Sequence, residues 1–505
     1  MLDWNAAQRL VEARCAVWET GAQPGGAIAL FDASGVRASA AGGLSDLGRD
    51  ERFSLDSRVR FASLTKHLFA VLLLRHGNGR VALTDSLGKH LPSLRGAVAQ
   101  VAVGRALDMS SGLPDLRETL SLLDLRIESV TEAPALLDFI SGLERLNFTA
   151  GSEVSYSNTG YRLVEAALAG QELPFAELLQ RHIALPLGVR FDAPEHWDEP
   201  LPGLAPGYWR SDDGWRHSFA GLHLSASGSA VGSLAALCRW LGELLAERGP
   251  WAGMLAELGA PRKLADGTPS DYGLGIARLR LGRHTLFGHG GSHPGYKAHF
   301  LLAPERGVGA AVVANREDAP AFELALETLA TLLGEALPIR SAPFTDGLYV
   351  DAAGGPEWLE IRRSVASHLG TGVALHQGRD GAAVSLSAHL PMALRQRGEE
   401  VAGRLCGRER RWRPARIATG GCEVLEGEWT LPQWNAGFSI DAGTLLAGIG
   451  PVRRDARLTA LGGNRWLAER RDGPWAQRFG LSLDPDGRLS LRSHRSRVLR
   501  FVRRG

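Results

Sequence analysis

The 505 residues carry 57 basic and 55 acidic side chains, a formal net charge of +2, with 44% hydrophobic and 22% charged residues. This is the composition of a globular chain with a sizeable core and a length of about three domains. No stretch is long and apolar enough to span a membrane, and the four cysteines (Cys15, Cys238, Cys406, Cys422) form no CxxC pair, so they read as free thiols of a reducing cytoplasm and give no metal site.

Residues 1–21 read as an amphipathic helix rather than a signal peptide, because acidic and polar residues come early and no continuous apolar core follows. Two short strands follow, over 26–31 and 36–41, around the turn Asp32-Ala33-Ser34-Gly35. The stretch 61–77, FASLTKHLFAVLLLRHG, is apolar nearly all round and so predicts a buried helix, with Gly77 as its stop. Ser63 and Lys66 lie one turn apart on its N-terminal face, where free N–H groups and the helix dipole favour developing negative charge. Only four lysines stand against fifty-three arginines. A buried lysine can lose its proton and an arginine cannot, so this pair suits a nucleophile beside a base. Ser86 and Lys89 repeat the spacing, but Gly88 and Pro92 predict a loop there.

From 85 to 187 the pattern is helical with polar loops, including helices over 134–146 and 162–169. Within it lies Tyr156-Ser157-Asn158, the only Tyr-x-Asn among six tyrosines. A tyrosine whose pKa neighbouring cations lower can pass a proton, and an asparagine can hold both a lysine and a substrate carbonyl. A further helix is expected over 226–245. An antiparallel meander is expected from 272 to 315. There His289-Gly290-Gly291 forms a strand edge along which a substrate backbone can lie, with the N–H of Ser292 facing an oxyanion. Zinc binding by His289 and His293 is disfavoured, since the intervening residues forbid a helix and no carboxylate accompanies them.

Ser63-x-x-Lys66, Tyr156-x-Asn158 and His289-x-Gly291, in this order and spacing, resemble the serine β-lactamase and penicillin-recognising enzyme family. The MSSGL segment at 109–113 is similar to that family's His-Thr-Ser-Gly-Leu, with Met109 in place of histidine. The third motif begins with histidine, as in the D-aminopeptidases and some D,D-peptidases of the family. Over about 10–335 the resemblance implies an α+β fold, a three-layer catalytic domain with an antiparallel sheet, and cofactor-free acyl transfer. Ser63 would be the nucleophile, Lys66 and Tyr156 the proton-transfer pair with the base unassigned, and Asn158 and His289 substrate-positioning groups. The N–H groups of Ser63 and Ser292 would form the oxyanion hole.

Composition changes near Pro338. Residues from 341 onward carry 25 basic and 17 acidic side chains, leaving the preceding part net negative. The arginine-rich tail 492–505 alternates with apolar residues, as a strand does, which points to docking on the acidic part and away from nucleic acid. Alternating segments at 347–351, 358–362, 382–387, 427–431, 437–440, 479–484 and 488–492 predict two small antiparallel β-barrels. The domains expected are 1–338 catalytic, 339–421 barrel and 422–505 barrel.

A catalytic domain with two barrels resembles the D-aminopeptidase branch, in which a loop of the last barrel enters the site. Residues 469–477 are its counterpart, and Asp472 would bind the substrate α-ammonium. The resemblance thus implies a serine hydrolase that removes the N-terminal D-residue from small D-amino-acid-containing peptides, amides or esters, and the cysteines and N-terminal helix point to the cytoplasm. β-Lactams are candidate inhibitors and a homodimer is expected, with neither membrane nor nucleic acid as partner. A D,D-carboxypeptidase-like hydrolase or carboxylesterase, and a non-catalytic binding or scaffold protein on the same fold, are the alternatives.

Overall fold

The computed structural model describes residues 1–77, 79–341, 344–417 and 420–504. Helix α1 (Trp4–Ala16), capped by the Asp3 side chain, leads into strands β1 (Gly26–Asp32) and β2 (Gly35–Gly42). Helix α2 (Thr65–His76) is buried along almost its whole length, as the apolar run requires, and a 3-10 turn (Ala62–Leu64) precedes it. Gly77 ends it at a right-handed φ; a Cβ there would meet Leu73 and Leu168, so the glycine answers to space rather than to backbone handedness. Then come α3 (Leu116–Leu122), α4 (Asn158–Ala169) and α5 (Leu234–Ala246).

Strands β3 (Ala277–Leu281), β4 (His284–His293), β5 (Tyr296–Ala303) and β6 (Val308–Ala314) follow, and α6 (Ala321–Leu333) closes the layer. The sheet runs β3-β4-β5-β6-β1-β2, antiparallel throughout. Alternation along β1 shows how it is covered. Ala27, Ala29 and Phe31 face the core that contains α2 and α5, while Ile28 and Leu30 face α1 and α6.

Two expectations are corrected here. The helix expected over 226–245 begins only at Leu234, where Ser233 caps it by accepting from the Ala236 N–H at 3.2 Å. Residues before it leave the helix to form the strand Val231–Ser233, paired with Arg58–Arg60. The loop expected at 86–89 is instead a short helical turn, Leu87–His90, in which Gly88 fits against Ala99.

Beyond the sheet, eight strands from Gly347–Asp351 to Arg408–Pro414 close into one barrel and eight from Gly427–Leu431 to Leu499–Arg503 into a second. The arginine-rich end supplies the last strand of the second barrel; its final residue, Gly505, lies outside the described residues. Barrel arginines meet acids of the first part of the chain. Arg454 and Arg470 bind Asp124, Arg495 reaches Glu118 at 3.5 Å, and Arg408, Arg410 and Arg497 converge on Glu153. Leu122, at the end of α3, also joins the apolar interior of the second barrel. Among the described residues no helix is long and apolar enough to cross a membrane.

Candidate active site

Ser63 occupies the 3-10 turn just ahead of α2. Its Oγ lies 3.0 Å from Lys66 Nζ and 2.7 Å from Tyr156 Oη, which donates to it. Lys66 is wholly buried. Its amine also donates to Asn158 Oδ1 at 2.7 Å and to the Ser227 carbonyl at 2.6 Å. Those two partners only accept, so a neutral Lys66 spends its two N–H bonds on them and leaves its lone pair for the Ser63 hydroxyl. Burial pushes the Lys66 pKa well below 10.5; the Asp115 charge opposes this shift and Arg495 adds to it.

Tyr156 meets a different environment from the polar loop its sequence suggests. Its ring is buried, and burial raises the phenol pKa from 10.0 although its hydrogen bond to Ser63 and the Arg495 charge pull the other way. Burial outweighs the nearby cation, so the lowered pKa that would ease proton transfer is not found and Tyr156 keeps its proton.

His289 lies on β4 with both ring nitrogens engaged by the protein. Nδ1 donates to the Gly290 carbonyl at 2.6 Å, so Nε2 accepts from Tyr272 Oη at 2.7 Å. Burial, with Lys66 nearby, lowers its pKa and keeps it neutral. This histidine has no nitrogen left for a substrate. Gly291 has a packing reason: a Cβ there would lie 2.1 Å from the Phe61 carbonyl, so only glycine lets β4 approach the turn that carries Ser63. β4 and β5 are joined through Pro294-Gly295, with His293 opposite Tyr296 and Ser292 opposite Lys297. Alternation from that two-residue turn points the Ser292 N–H away from β5 onto the open edge. The Ser292 hydroxyl accepts from Lys297 Nζ at 2.6 Å, and Lys297 pairs with Glu317 at 2.5 Å.

The hairpin of strands Arg465–Asp472 and Trp475–Leu483 does reach this region. Ser63, Tyr156, Asn158, His289, Gly291, Ser292 and Asp472 all border one cavity of about 860 Å³, which Trp475 and His389 also line. Asp472, however, is almost fully buried, pairs with Arg454 at 3.2 Å and accepts from the Ile127 N–H at 3.2 Å. Its charge is matched within the protein.

Several contributors have no place in the three motifs. Asp115 accepts from both the backbone N–H and the side-chain amide of Asn158, at 2.7 and 2.9 Å, and caps α3 through the Glu118 N–H at 3.0 Å. The Asp115-x-x-Glu118 spacing is a helix-start signal that marks it in the sequence. The Ser227 carbonyl has no side-chain signature at all. Arg495 sits 4.7 Å over the Tyr156 ring and the His389 ring is 5.1 Å from it; both come from the barrels.

The sheet, its covering helices and this Ser-Lys-Tyr-Asn cluster define a protein of the penicillin-recognising fold, and a family model described as Beta-lactamase matches residues 8–335. The chain belongs to that family. A D-aminopeptidase of Cereibacter sphaeroides is 24% identical over 425 residues, 76% of this chain and 80% of the relative. The octameric penicillin-binding protein homologue from Pyrococcus abyssi matches 99% of this chain and 100% of its own, with a TM-score of 0.57 and 17% identity. The D-amino acid amidase of Ochrobactrum anthropi SV3, solved with D-phenylalanine, matches 65% of this chain and 97% of its own, with a TM-score of 0.52 and 23% identity. At these identities the two solved structures speak for the fold alone.

Proposed function

We propose that this chain is a serine hydrolase that releases the N-terminal D-residue of short peptides, amides or esters through an acyl-enzyme. The observation that carries the chemistry is Ser63 Oγ held between a buried Lys66 amine and the Tyr156 hydroxyl. The D-residue reading is supported by the D-aminopeptidase relative. In this reading neutral Lys66 takes the Ser63 proton as Oγ attacks the substrate carbonyl. The resulting oxyanion is met by the N–H groups of Ser63 and Ser292. Tyr156 passes a proton to the leaving amine and regains one from Lys66. Water then attacks the acyl ester, returns the proton to Ser63 and frees the amino acid. Asn158 fixes the Lys66 amine, and Asp115 fixes Asn158. Buried or half-buried free thiols at all four cysteines fit a cytoplasmic setting.

The test uses D-alanine and L-alanine p-nitroanilides, each with and without an N-acetyl cap. Cleavage of the uncapped D-compound alone is expected, and none by Ser63→Ala. Cleavage of a simple ester but of no anilide transfers the reading to a carboxylesterase. Because the Asp472 carboxylate is already matched by Arg454, Asp472→Asn is expected to perturb the hairpin more than the choice between capped and free amines.

A pH dependence follows from Lys66. Below its lowered pKa the amine is protonated and cannot act as base, so kcat/KM is expected to climb with pH through that value, which lies well under 10.5. Tyr156 with its raised pKa adds no falling limb at neutral pH. Between the folded and unfolded pKa values of Lys66 the unfolded chain holds the extra proton, so this group makes stability rise with pH across that window. A Lys66→Met variant that keeps the wild-type pH limb would remove Lys66 from the role of base.

A further inference from the structure

Arg117 lies on α3, two residues after the aspartate that holds Asn158, and borders the same cavity as Ser63. Its side chain is half-buried. Among the described residues its guanidinium makes no hydrogen bond and no ion pair, which sets it apart from the other charged groups around the site. Lys297 is matched by Glu317, Arg495 by Glu118 and Arg454 by Asp472.

The carboxylates whose charge reaches Arg117 are those of Asp472, Asp115, Glu118 and Glu128, and each has another partner. Asp472 is taken by Arg454 and Asp115 by Asn158. Glu118 accepts from the Ser493 hydroxyl at 2.5 Å and the Arg495 N–H at 3.0 Å, while Glu128 lies 3.6 Å from Arg126. A half-buried cation with no contact partner stands on the cavity wall, open to an anion that enters.

The Arg117 side chain is also held in place. It lies 4.3 Å over the ring of Trp475, whose indole N–H donates to Glu317 at 2.8 Å. A guanidinium stacked on an anchored indole has lost much of its rotational freedom before any ligand arrives. Its planar donor fork suits a carboxylate bidentately.

We propose that Arg117 receives a carboxylate of the substrate, so that the enzyme prefers acidic substrates over their neutral amides. The inference rests on the hydrolase reading only in taking the cavity beside Ser63 as the substrate site. The carboxylate has two possible sources. One is the C-terminus of the departing residue, which makes the preferred substrate a dipeptide. The other is the side chain of an acidic D-residue on the acyl side. Trp475 is a positioning residue for Arg117.

Binding to the Ser63→Ala variant, measured by calorimetry, needs no turnover and so separates this inference from the proposed activity. One arm compares D-alanyl-glycine with D-alanyl-glycinamide, and the other D-aspartic acid α-amide with D-asparagine amide. In at least one arm the acid is expected to bind about 10- to 100-fold more tightly than its neutral partner. Arg117→Gln in the same background is expected to bring that ratio near one, Arg117→Lys to restore part of it, and Trp475→Ala to lower it. Equal binding of acid and amide in both arms overturns the proposal, as does a preference that survives Arg117→Gln. Thermal melting of each variant checks that the fold is kept; if Arg117→Gln does not fold, equal binding of acid and amide in the Arg117-containing protein still overturns the proposal, as does a preference unchanged in both Arg117→Lys and Trp475→Ala.

Discussion

Replacing Ser63 with alanine is expected to lower kcat on an uncapped D-alanine p-nitroanilide by about 10⁴-fold or more, the scale on which a covalent nucleophile is missed. Lys66→Met is expected to lose roughly 10³-fold, in the range of a positioned general base. The two losses should not multiply in the double variant, because both groups serve one proton transfer. Stability is expected to move the other way. Lys66 is wholly buried in a cluster that must accommodate its amine, and methionine fills a similar volume without a group to solvate, so the melting temperature should hold or rise. Steady-state rates beside thermal melting of the same samples make the check. A Lys66→Met protein that keeps a tenth of the wild-type rate would end the assignment of Lys66 as base.

Glu153→Gln is expected to destabilise the protein by about 3–5 kcal/mol, as when one partner is removed from a buried charge network. Glu153 is 3% exposed and receives Arg410 and Arg497, each at 3.3 Å, from the first and second barrels. Arg408 also reaches it at 3.1 Å, but that side chain is half exposed and contributes little. Arg410 and Arg497 also meet Glu357, which His368 approaches at 2.9 Å, so the network joins both barrels to the loop before Tyr156. The neighbouring Val154 N–H donates to the Cys406 carbonyl at 3.1 Å, a second tie between that loop and the first barrel. Activity should therefore fall together with stability as Tyr156 loses its support. Denaturant unfolding and limited proteolysis measure the effect; a change within about 0.5 kcal/mol, the scale of an ordinary surface substitution, would show that the network is incidental.

The parts of the site legible in the sequence are those whose chemistry is carried by side chains at short spacing. Ser63 and Lys66 are separated by one helical turn, and Tyr156 and Asn158 by one residue, so a local pattern describes each pair. The strands of the barrels were legible for the same reason, since alternation is local; the segments expected at 347–351, 358–362 and 427–431 coincide with strands.

What escaped is non-local or lies in the backbone. The Ser227 carbonyl sits in a segment that reads as helical, whereas the chain forms a turn there, ahead of the strand Val231–Ser233, and that turn presents the carbonyl to Lys66. The burial that raises the Tyr156 pKa is not legible either, because its loop is polar in sequence yet closed over by residues from the barrels, Arg495 and His389 among them. For Asp472 the arrival of the hairpin could be expected, but its pairing with Arg454, eighteen positions earlier on another strand, has no sequence signature.

One feature of the nucleophile turn sets opposing demands on the chain. Ala62 has φ 49, a left-handed conformation that costs a non-glycine residue roughly 1–2 kcal/mol. Neighbours hold it there: the Phe61 N–H donates to the Ala230 carbonyl at 2.9 Å, and Thr65 Oγ1 donates to the Ala62 carbonyl at 2.6 Å while accepting from the Ala230 N–H. Glycine would adopt this φ freely, but it would also let the turn sample other shapes. Selection for heat resistance favours relaxing position 62. Turnover needs the narrower range of shapes, since Ser63 is the next residue, so heat resistance and activity pull position 62 in opposite directions.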